Sequence, residues 1–317
     1  MTTPGTYIGV DIAKAELVVA TPTTLLCRVA NDRAGHAQLL QRLAGMAVKA
    51  VVLESTGSYG QALATALADA GVAVAVVQPG RVRSYAGSLG IRAKTDPIDA
   101  KVIARFGEAI EPRLFTPPAP EVLHLRALVD RRDQIIEQRK QEQNRLDVMS
   151  NPIIAKELRA SVKRLRASEK TYTEHIAKHI AQHDQLRRLS AALQEEAGVG
   201  LQTAATLLAH LPELGTLNRQ GIAALGGLAP YDQASGARDG RRAIYGGRRR
   251  LRRALYMAAI TAGRCSPWLS DIYKKLIQRG KPAKVALIAC ARKLLIRLNS
   301  IAAKALQQTP KAPVMTP

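Results

Sequence analysis

Two acidic residues three positions apart are the first side chains that could do chemistry. Asp96 and Asp99 lie in the segment KTDPIDAK, with Pro97 between them. Proline is tolerated in the first turn of a helix and aspartate suits the N-cap, so we predict that Asp96 caps the helix that carries Asp99. Residues at this spacing are neighbours on a helix, and the two carboxylates can converge on one point. Alone, such a pair is more typical of capping and of compensating the helix dipole.

Two further acids, Asp11 and Glu54, change this interpretation. Each follows an apolar run, YIGV or VVL, that predicts a buried strand. Ligand sites on open α/β sheets lie at the carboxyl ends of strands, where a buried carboxylate without a counter-charge is strongly destabilising. A bound cation removes that penalty. The four acids therefore predict a divalent-metal site, and Mg²⁺ is the expected ion because it prefers carboxylate oxygens.

The elements that must position these acids form a mixed α/β domain at residues 1–115. Apolar runs predict three strands in a meander, followed by alternating helices and strands beneath a helical cover. The predicted strands span 7–11, 16–20, 25–29, 51–54 and 72–77, the predicted helices span 33–46 and 59–70, and Pro79-Gly80 predicts a turn.

The middle of the chain, residues 116–195, has a helical pattern. The segment TPPAP is a stiff linker, and Asn151-Pro152 separates two long helical runs, the second from about 153 to 193. Their narrow apolar seam predicts a helical hairpin or coiled coil that acts as an oligomerisation arm. His175, His179 and His183 recur every fourth residue, and because no cysteine or carboxylate completes a ligand set we predict a solvated helix face there.

The net charge of +22 and the pI of about 10.4 are typical of a protein that binds polyanions. The excess lies late, because residues 196–317 hold 20 Lys and Arg against 5 Asp and Glu. Eight arginines fall within residues 238–253, beside Ser235, and such density predicts a phosphate clamp. The charge suits DNA and RNA alike.

The segment EAGVGLQTA predicts a helix-hairpin-helix turn whose backbone amides bind phosphate without reading sequence, although a plain helix–helix turn has the same pattern. This turn opens a mainly helical, basic domain at residues 196–317. The predicted nucleic-acid-binding residues are Gly198, Gly200, Arg238, Arg241, Arg242, Arg248, Arg249, Arg250, Arg252 and Arg253.

Other function classes are disfavoured by what the chain contains. Its three cysteines, Cys27, Cys265 and Cys290, are far apart and odd in number, which fits a reducing cytoplasm better than a disulfide framework or a zinc site. No apolar leader or run of 18 apolar residues is present, so we expect no membrane association. The expected location is the cytoplasm, in contact with nucleic acid.

With these pieces placed, the sequence resembles the DEDD-type insertion-sequence transposases, relatives of the pilin-gene invertases that include the bridge-RNA-guided recombinases. Six ordered motifs carry the resemblance over nearly the whole chain. They are YIGVDIAK at 7–14, LESTGSY at 53–59, KTDPIDA at 94–100, GGLAP at 226–230, ASG at 234–236 and LRRALYM at 251–257.

The resemblance implies a RuvC-like, RNase H-type fold for the first domain, with Asp11, Glu54, Asp96 and Asp99 as its metal-binding tetrad. It also implies that Ser235 is the nucleophile that breaks DNA and holds it as a phosphoserine. In the family the serine of one subunit works with the tetrad of another, within a dimer or tetramer, and some members use a guide RNA.

Two other functions fit the same residues. A junction-resolving nuclease would use the tetrad to activate water and leave Ser235 with a structural role. A packaging or regulatory protein would use the basic charge and leave the acids inert. Metal-dependent strand cleavage separates the last from the first two, and a covalent protein–DNA adduct separates a recombinase from a nuclease.

Overall fold

A mixed five-stranded sheet organises the first part of the chain. The computed structural model describes residues 5–54, 59–91, 95–231 and 243–308, and the chain divides into two units, Met1–Pro117 and Pro118–Pro317. The sheet has the order β3-β2-β1-β4-β5, with β1 antiparallel to β2 and parallel to β4. The predicted mixed α/β sheet is confirmed. Its strands are β1 (Thr6–Ile12), β2 (Glu16–Ala20), β3 (Leu25–Ala30), β4 (Val48–Glu54) and β5 (Val74–Val77).

Helices cover both faces of this sheet. On one face, α1 (Arg33–Ala44) and α2 (Gln61–Asp69) pack against Ile8 and Val10 of β1. On the other face, α3 (Pro79–Ser88) and α4 (Asp96–Ile110) pack against Tyr7 of β1 and its neighbours. Side chains alternate between the faces of a strand, so Tyr7, Gly9 and Asp11 share the face that α3 and α4 cover.

Helix α3 corrects the prediction of a turn at Pro79-Gly80. Proline at the first helical position loses only an amide that has no intrahelical partner, so Pro79 begins a helix here. Val82 on this helix is 5% exposed and joins the core beneath it. The tertiary contact of Val82 therefore outweighs the local turn signal.

The described part of the second unit is helical apart from one short two-stranded ladder. Helices α5 (Pro120–Asp147) and α6 (Pro152–Gln182) form a hairpin, and Asn151 caps α6 by accepting hydrogen bonds from the amides of Ile153 and Ile154. The predicted hairpin is therefore observed, whereas a coiled coil, an oligomerisation role and a boundary at residue 195 stay predictions. The remaining elements are α7 (Asp184–Gln194), α8 (Leu201–His210), α9 (Arg219–Leu225), β6 (Pro230–Tyr231), β7 (Ala243–Ile244), α10 (Arg249–Cys265), α11 (Pro267–Gln278) and α12 (Ala283–Gln307).

One hydrophobic core runs from the base of this hairpin to the final helix. Leu125 of α5, Ile176 of α6, Leu207 of α8, Leu255 of α10 and Leu294 of α12 are all fully buried in it. None of the helices described combines the length and apolar character needed to span a bilayer.

Two histidines on the hairpin differ from the sequence prediction. His183 ends α6, which divides the helix predicted for 153–193. His179 is 8% exposed, its Nε2 donates to the Glu121 carbonyl oxygen at 2.8 Å, and its ring lies 4.6 Å from that of His124. Burial lowers the pKa of His179. The predicted solvated face is therefore wrong for His179, because α5 packs over it, and confirmed for His175, which is exposed.

Candidate active site and nucleic-acid interface

Asp11 and Glu54 lie side by side on one face of the sheet. The parallel register pairs Gly9 with Val52 and Val10 with Leu53, so the next residue on each strand is an acid. Paired residues of adjacent strands project to the same face. Both carboxylates are therefore presented at the carboxyl ends of β1 and β4, where the sequence predicts them.

The helix that carries the other two acids crosses this same face. A Cβ on Gly9 would lie 2.1 Å from the Ala100 carbonyl oxygen and 2.4 Å from the Ala104 nitrogen, so α4 rests directly on the main chain of β1. A Cβ on Gly107 would meet side-chain atoms of Tyr7 and Val52. Helix α4 therefore runs antiparallel to β1, and its first turn lies beside the carboxyl end of the strand.

Asp96 and Asp99 occupy that first turn. Thr95 is the N-cap, since its carbonyl accepts from the Asp99 amide at 2.9 Å, and Asp96 is the first helical residue. The prediction that Asp96 is the cap is wrong by one residue, because Pro97 fits the second helical position equally well. Val18, which pairs with Asp11 across the sheet, is buried against Ala100. This contact places Asp11 near the turn that holds Asp99.

The four acids supply carboxylate oxygens, which suit a hard divalent cation in donor chemistry. Asp96 is exposed, and Asp11, Glu54 and Asp99 are half-buried, so the set is open to a charged substrate. In the described ranges, no three His, Cys, Asp or Glu side chains are grouped closely enough to hold a metal. The four acids therefore lie on or beside one face of the sheet, but their side chains are not grouped as the ligands of one metal ion.

Ser235 lies outside the described residues, together with Arg238, Arg241 and Arg242. The residues on either side of this segment form a two-stranded antiparallel ladder, in which Pro230 pairs with Ile244 and Tyr231 with Ala243. Both ends of the segment that carries the serine are therefore joined at its base.

Glycines at that base allow the two ends to meet. Gly227 and Gly247 have φ values of +64° and +69°, and a Cβ on Gly247 would lie 2.2 Å from the Cα of Gly227. The Arg248 amide donates to the Leu225 carbonyl at 2.8 Å. Arg252 donates from Nη1 to the carbonyl oxygen of Gly246 at 2.8 Å. The GGLAP motif and the second glycine pair thus form one close backbone contact.

The arginines that follow this base have different environments. Arg248 donates to both carboxylate oxygens of Glu213, at 2.6 and 2.7 Å, and to the His210 carbonyl at 2.9 Å. Arg250 pairs with Asp130 and lies 3.5 Å from Asp133. Both side chains are therefore engaged within the protein, and their binding of nucleic acid stays a prediction. Arg249 and Arg253 are exposed and have no ion pair among the described residues.

The predicted helix-hairpin-helix turn joins α7 to α8. Gly198, with φ +88°, lies against α10, because a Cβ there would be 2.5 Å from the Ala262 nitrogen. Glu196 on this turn is 5% exposed and accepts from Trp268 Nε1 at 2.8 Å and from Arg297. Gly200 is the N-cap of α8, with open space where a Cβ would be. Gly198 therefore has a packing role, and phosphate binding at this turn stays a prediction.

Sequence reasoning missed the acidic partners of this region. His210 lies between α5 and α10, with its Nε2 3.0 Å from Asp130 Oδ1. Burial, together with the nearby Arg126 cation, lowers the pKa of His210 to about 4 despite the opposing effect of Asp133. Glu213, Asp130 and Asp133 lie far along the chain from the arginines they bind, so no local spacing reveals them. The sequence offered one signal, which is that Glu213 is a rare acid in the strongly basic region 196–317 and is therefore a candidate partner for an arginine.

The relatives of this chain share both halves of it. A DEDD-type transposase model matches residues 8–151, and a model described as transposase IS116/IS110/IS902 family matches residues 190–274. The pilin gene-inverting protein of Moraxella bovis is 30% identical over 303 residues, which covers 92% of this chain and 93% of the relative. The pilin gene-inverting protein of Moraxella lacunata matches with the same identity and coverage.

A shorter match adds an insertion element from another organism. An uncharacterised 43.6 kDa protein of insertion element IS110 from Streptomyces coelicolor is 36% identical over 107 residues, or 33% of this chain and 26% of the relative. Two family models in chain order and relatives matched along nearly their whole length indicate one family. The chain belongs to the IS110 family of transposases and site-specific recombinases.

Proposed function

We propose that this enzyme cuts and rejoins DNA through a phosphoserine on Ser235, with Asp11, Glu54, Asp96 and Asp99 holding Mg²⁺ at the reacting phosphate. Membership of the family implies a DNA substrate, and the DEDD-type domain suggests dependence on a divalent metal. Four parts of the proposal go beyond what family membership implies. They are the serine nucleophile, the identity of the ion as Mg²⁺, guidance by an RNA, and a RuvC-like fold for the first unit.

The observation that carries the proposal is the shared face of the sheet. Asp11 and Glu54 lie near the ends of adjacent strands, and α4, whose first turn carries Asp96 and Asp99, lies directly on the main chain of Gly9. Glycine in a strand allows another backbone to approach closely, and here it allows α4 to lie on β1. The placement of all four acids at this side of the sheet supports metal binding over capping alone.

The chemistry follows from the residue types. When bound, Mg²⁺ neutralises charge on the phosphate and lowers the pKa of the attacking hydroxyl. Ser235 Oγ forms a bond to phosphorus while the phosphorus–oxygen bond to the departing strand breaks, and the serine proton passes to the departing oxygen, which leaves as a hydroxyl. The number of phosphoester bonds is unchanged. A hydroxyl of another strand can then displace the serine, which exchanges strands.

The exposed arginines of the second unit are suited to binding the phosphates of the substrate. Arg249 and Arg253 can face phosphate, and Arg238, Arg241 and Arg242 follow Ser235 closely enough in sequence to stabilise charge that develops on the reacting group. The same cations suit a guide RNA, which we propose as a partner on the family resemblance. Nucleic acid that co-purifies with the enzyme, extracted and sequenced, tests that partner.

The site is assembled from two subunits of a dimer or tetramer. Ser235 and the four acids belong to different units of the chain, and a long helical hairpin begins the second unit, which supports donation of the serine to a partner. Ser235→Ala and Asp11→Ala are each expected to be inactive. Mixed, they regain partial activity, because some hetero-oligomers contain one site with a serine and a full tetrad.

The measurement in this experiment is the formation of a covalent protein–DNA adduct. The adduct is expected on the Asp11→Ala subunit, identified by a mass tag, because that subunit keeps Ser235. A matched control mixes Ser235→Ala with the double variant Asp11→Ala/Ser235→Ala, which supplies no serine and stays inactive. A dead test mixture with demonstrated subunit exchange would place the site within one chain. Cleavage by Ser235→Ala alone would establish water as the nucleophile and the enzyme as a junction nuclease.

A further inference from the structure

A second basic surface lies at the turn between α11 and α12, away in sequence from the arginines that follow Ser235. Its five cations all fall within residues 274–284 and are all exposed. No Asp or Glu occurs from residue 272 to the end of the sequence. None of the five forms an ion pair with another described residue. The members of this turn surface are Lys274, Lys275, Arg279, Lys281 and Lys284.

The turn that presents them is well ordered by hydrogen bonds. The Gly280 amide donates to the Ile277 carbonyl at 2.9 Å, and the Lys281 amide donates to the Leu276 carbonyl at 3.1 Å. Gly280 has a φ of +73°, which allows the chain to reverse between the helices. On the opposite side of α11, Leu269 is fully buried in the core of the second unit. The hydrogen-bonded turn and the buried face of α11 therefore hold the backbone that carries these cations in place.

Helix stability explains only part of this charge. Lys275 and Arg279 lie at the carboxyl end of α11, where cations compensate the helix dipole. Lys284 lies in the first turn of α12, and Lys281 just precedes it, where the dipole disfavours a positive charge. Cations at an unfavourable helix end, without acidic partners, indicate a negatively charged ligand.

The surface suits a duplex better than an unpaired strand. Proteins that hold single strands stack the bases on aromatic side chains. The aromatic residue of this turn, Tyr273, is half-buried and packs against the core, so it offers no stacking platform. Compact lysine ammonium groups suit phosphates as point charges. Ile277 and Val285 are also exposed here, at 39% and 51%, and an anionic membrane is the competing ligand for a basic surface with apolar residues.

We propose that the turn surface of α11 and α12 binds the phosphate backbone of duplex DNA without regard to sequence, as a contact separate from the one that follows Ser235. The inference rests on the DNA substrate of the family and does not depend on the serine step. Part of the enzyme's affinity for DNA would then come from a helical turn that is distant in sequence from the reacting residues.

The test compares two triple variants of the full chain. The first replaces Lys274, Lys281 and Lys284 with alanine. The matched control replaces Lys156, Lys163 and Lys178, three exposed lysines of α6. Affinity for a duplex of random sequence is measured from about 50 to about 200 mM salt. Each neutralised phosphate contributes about 0.9 to the slope, so the first variant is expected to lose about 2.7 units of slope. Between the two salt concentrations its affinity is therefore expected to fall about 40-fold less than that of the unmodified enzyme. The control is expected to lose less than about one unit.

Three further measurements make the result decisive. Lysine-to-arginine replacement at the same three positions keeps the charge and is expected to keep the slope. An unchanged slope in the alanine variant overturns the proposal, as does loss of binding to vesicles of anionic lipid with DNA binding intact. The adduct on Ser235 at saturating DNA is expected to persist in the alanine variant. Absence of that adduct in the unmodified enzyme would refute the serine step and leave the turn surface standing.

Discussion

Three consecutive arginines, Arg248 to Arg250, are expected to differ in what their loss does to the enzyme. Arg248 makes two hydrogen bonds to Glu213 and one to the His210 carbonyl. Its side chain is 35% exposed and that of Glu213 is 16% exposed. Breaking a buried pair costs about 3–5 kcal/mol, and the partial exposure of Arg248 favours the lower end. We therefore expect Arg248→Ala to destabilise the second unit by about 3 kcal/mol.

Thermal unfolding measures this loss. One kcal/mol shifts Tm by about 2–4 °C in a unit of this size, so Arg248→Ala is expected to lower Tm by about 6–12 °C. Arg248→Lys keeps the charge but cannot make the paired contact, and is expected to recover less than half of the shift. The matched control, Arg249→Ala, removes an exposed arginine and is expected to keep Tm while lowering the salt slope of DNA binding by about one unit.

The reverse pattern would refute this reasoning. If Arg248→Ala keeps its Tm within about 2 °C and loses about one unit of salt slope, then Arg248 contacts nucleic acid and its pairing with Glu213 is incidental. A double-mutant cycle with Glu213→Gln resolves an intermediate result, because residues that act as a pair lose less together than the sum of their separate effects.

The other predictions address the acids, pH and the turn before α8. Asp11→Ala or Glu54→Ala is expected to abolish strand cleavage in Mg²⁺ while leaving DNA affinity nearly intact, since neither removes a cation; full cleavage by either variant would contradict the tetrad. Because the pKa of His210 is lowered to about 4, the unfolded chain binds a proton between about pH 6.5 and 4 that the folded chain does not bind. The free energy of unfolding is therefore highest above this range and falls as the pH drops through it, by about 3 kcal/mol in total. Chemical denaturation across this range measures the fall, and His210→Gln is expected to flatten it. Gly198→Ala is expected to destabilise the protein by about 1–3 kcal/mol, because the new Cβ meets the backbone of Ala262 at a positive φ; an unchanged Tm would mean that α10 gives way.

Strand positions were predictable because each depends on local pattern. The run at Glu16–Ala20 is apolar, branched and bounded by turn residues, and the structure has β2 over the same residues. Asp11 and Glu54 followed from strand ends in the same way. Helix α3 was missed, since Pro79-Gly80 is compatible with a turn and a helix start, and only the packing of Val82 decides between them.

Partners far apart in sequence were not predictable. The arginine run is uniform in sequence, yet Arg248 binds Glu213 and Arg250 binds Asp130, at separations of 35 and 120 residues. Arg249 differs from both only in the direction that α10 turns it. Likewise, His179 has the spacing of a solvated stripe, and its burial depends on α5, which folds back over it.

The contact of α4 with Gly9 means that substitutions at Gly9 and substitutions in the surrounding core should have different effects. Because the helix meets main chain there, the backbones of α4 and β1 approach most closely at Gly9, with no side chain of β1 between them. Val102, Ile103 and Phe106 on the same helix can therefore be exchanged for other apolar residues, with an effect on stability but little on the distance between carboxylates. Any side chain at position 9 moves both helix acids together. Substitutions in the hydrophobic core are therefore expected to change stability, whereas a side chain at position 9 is expected to displace α4.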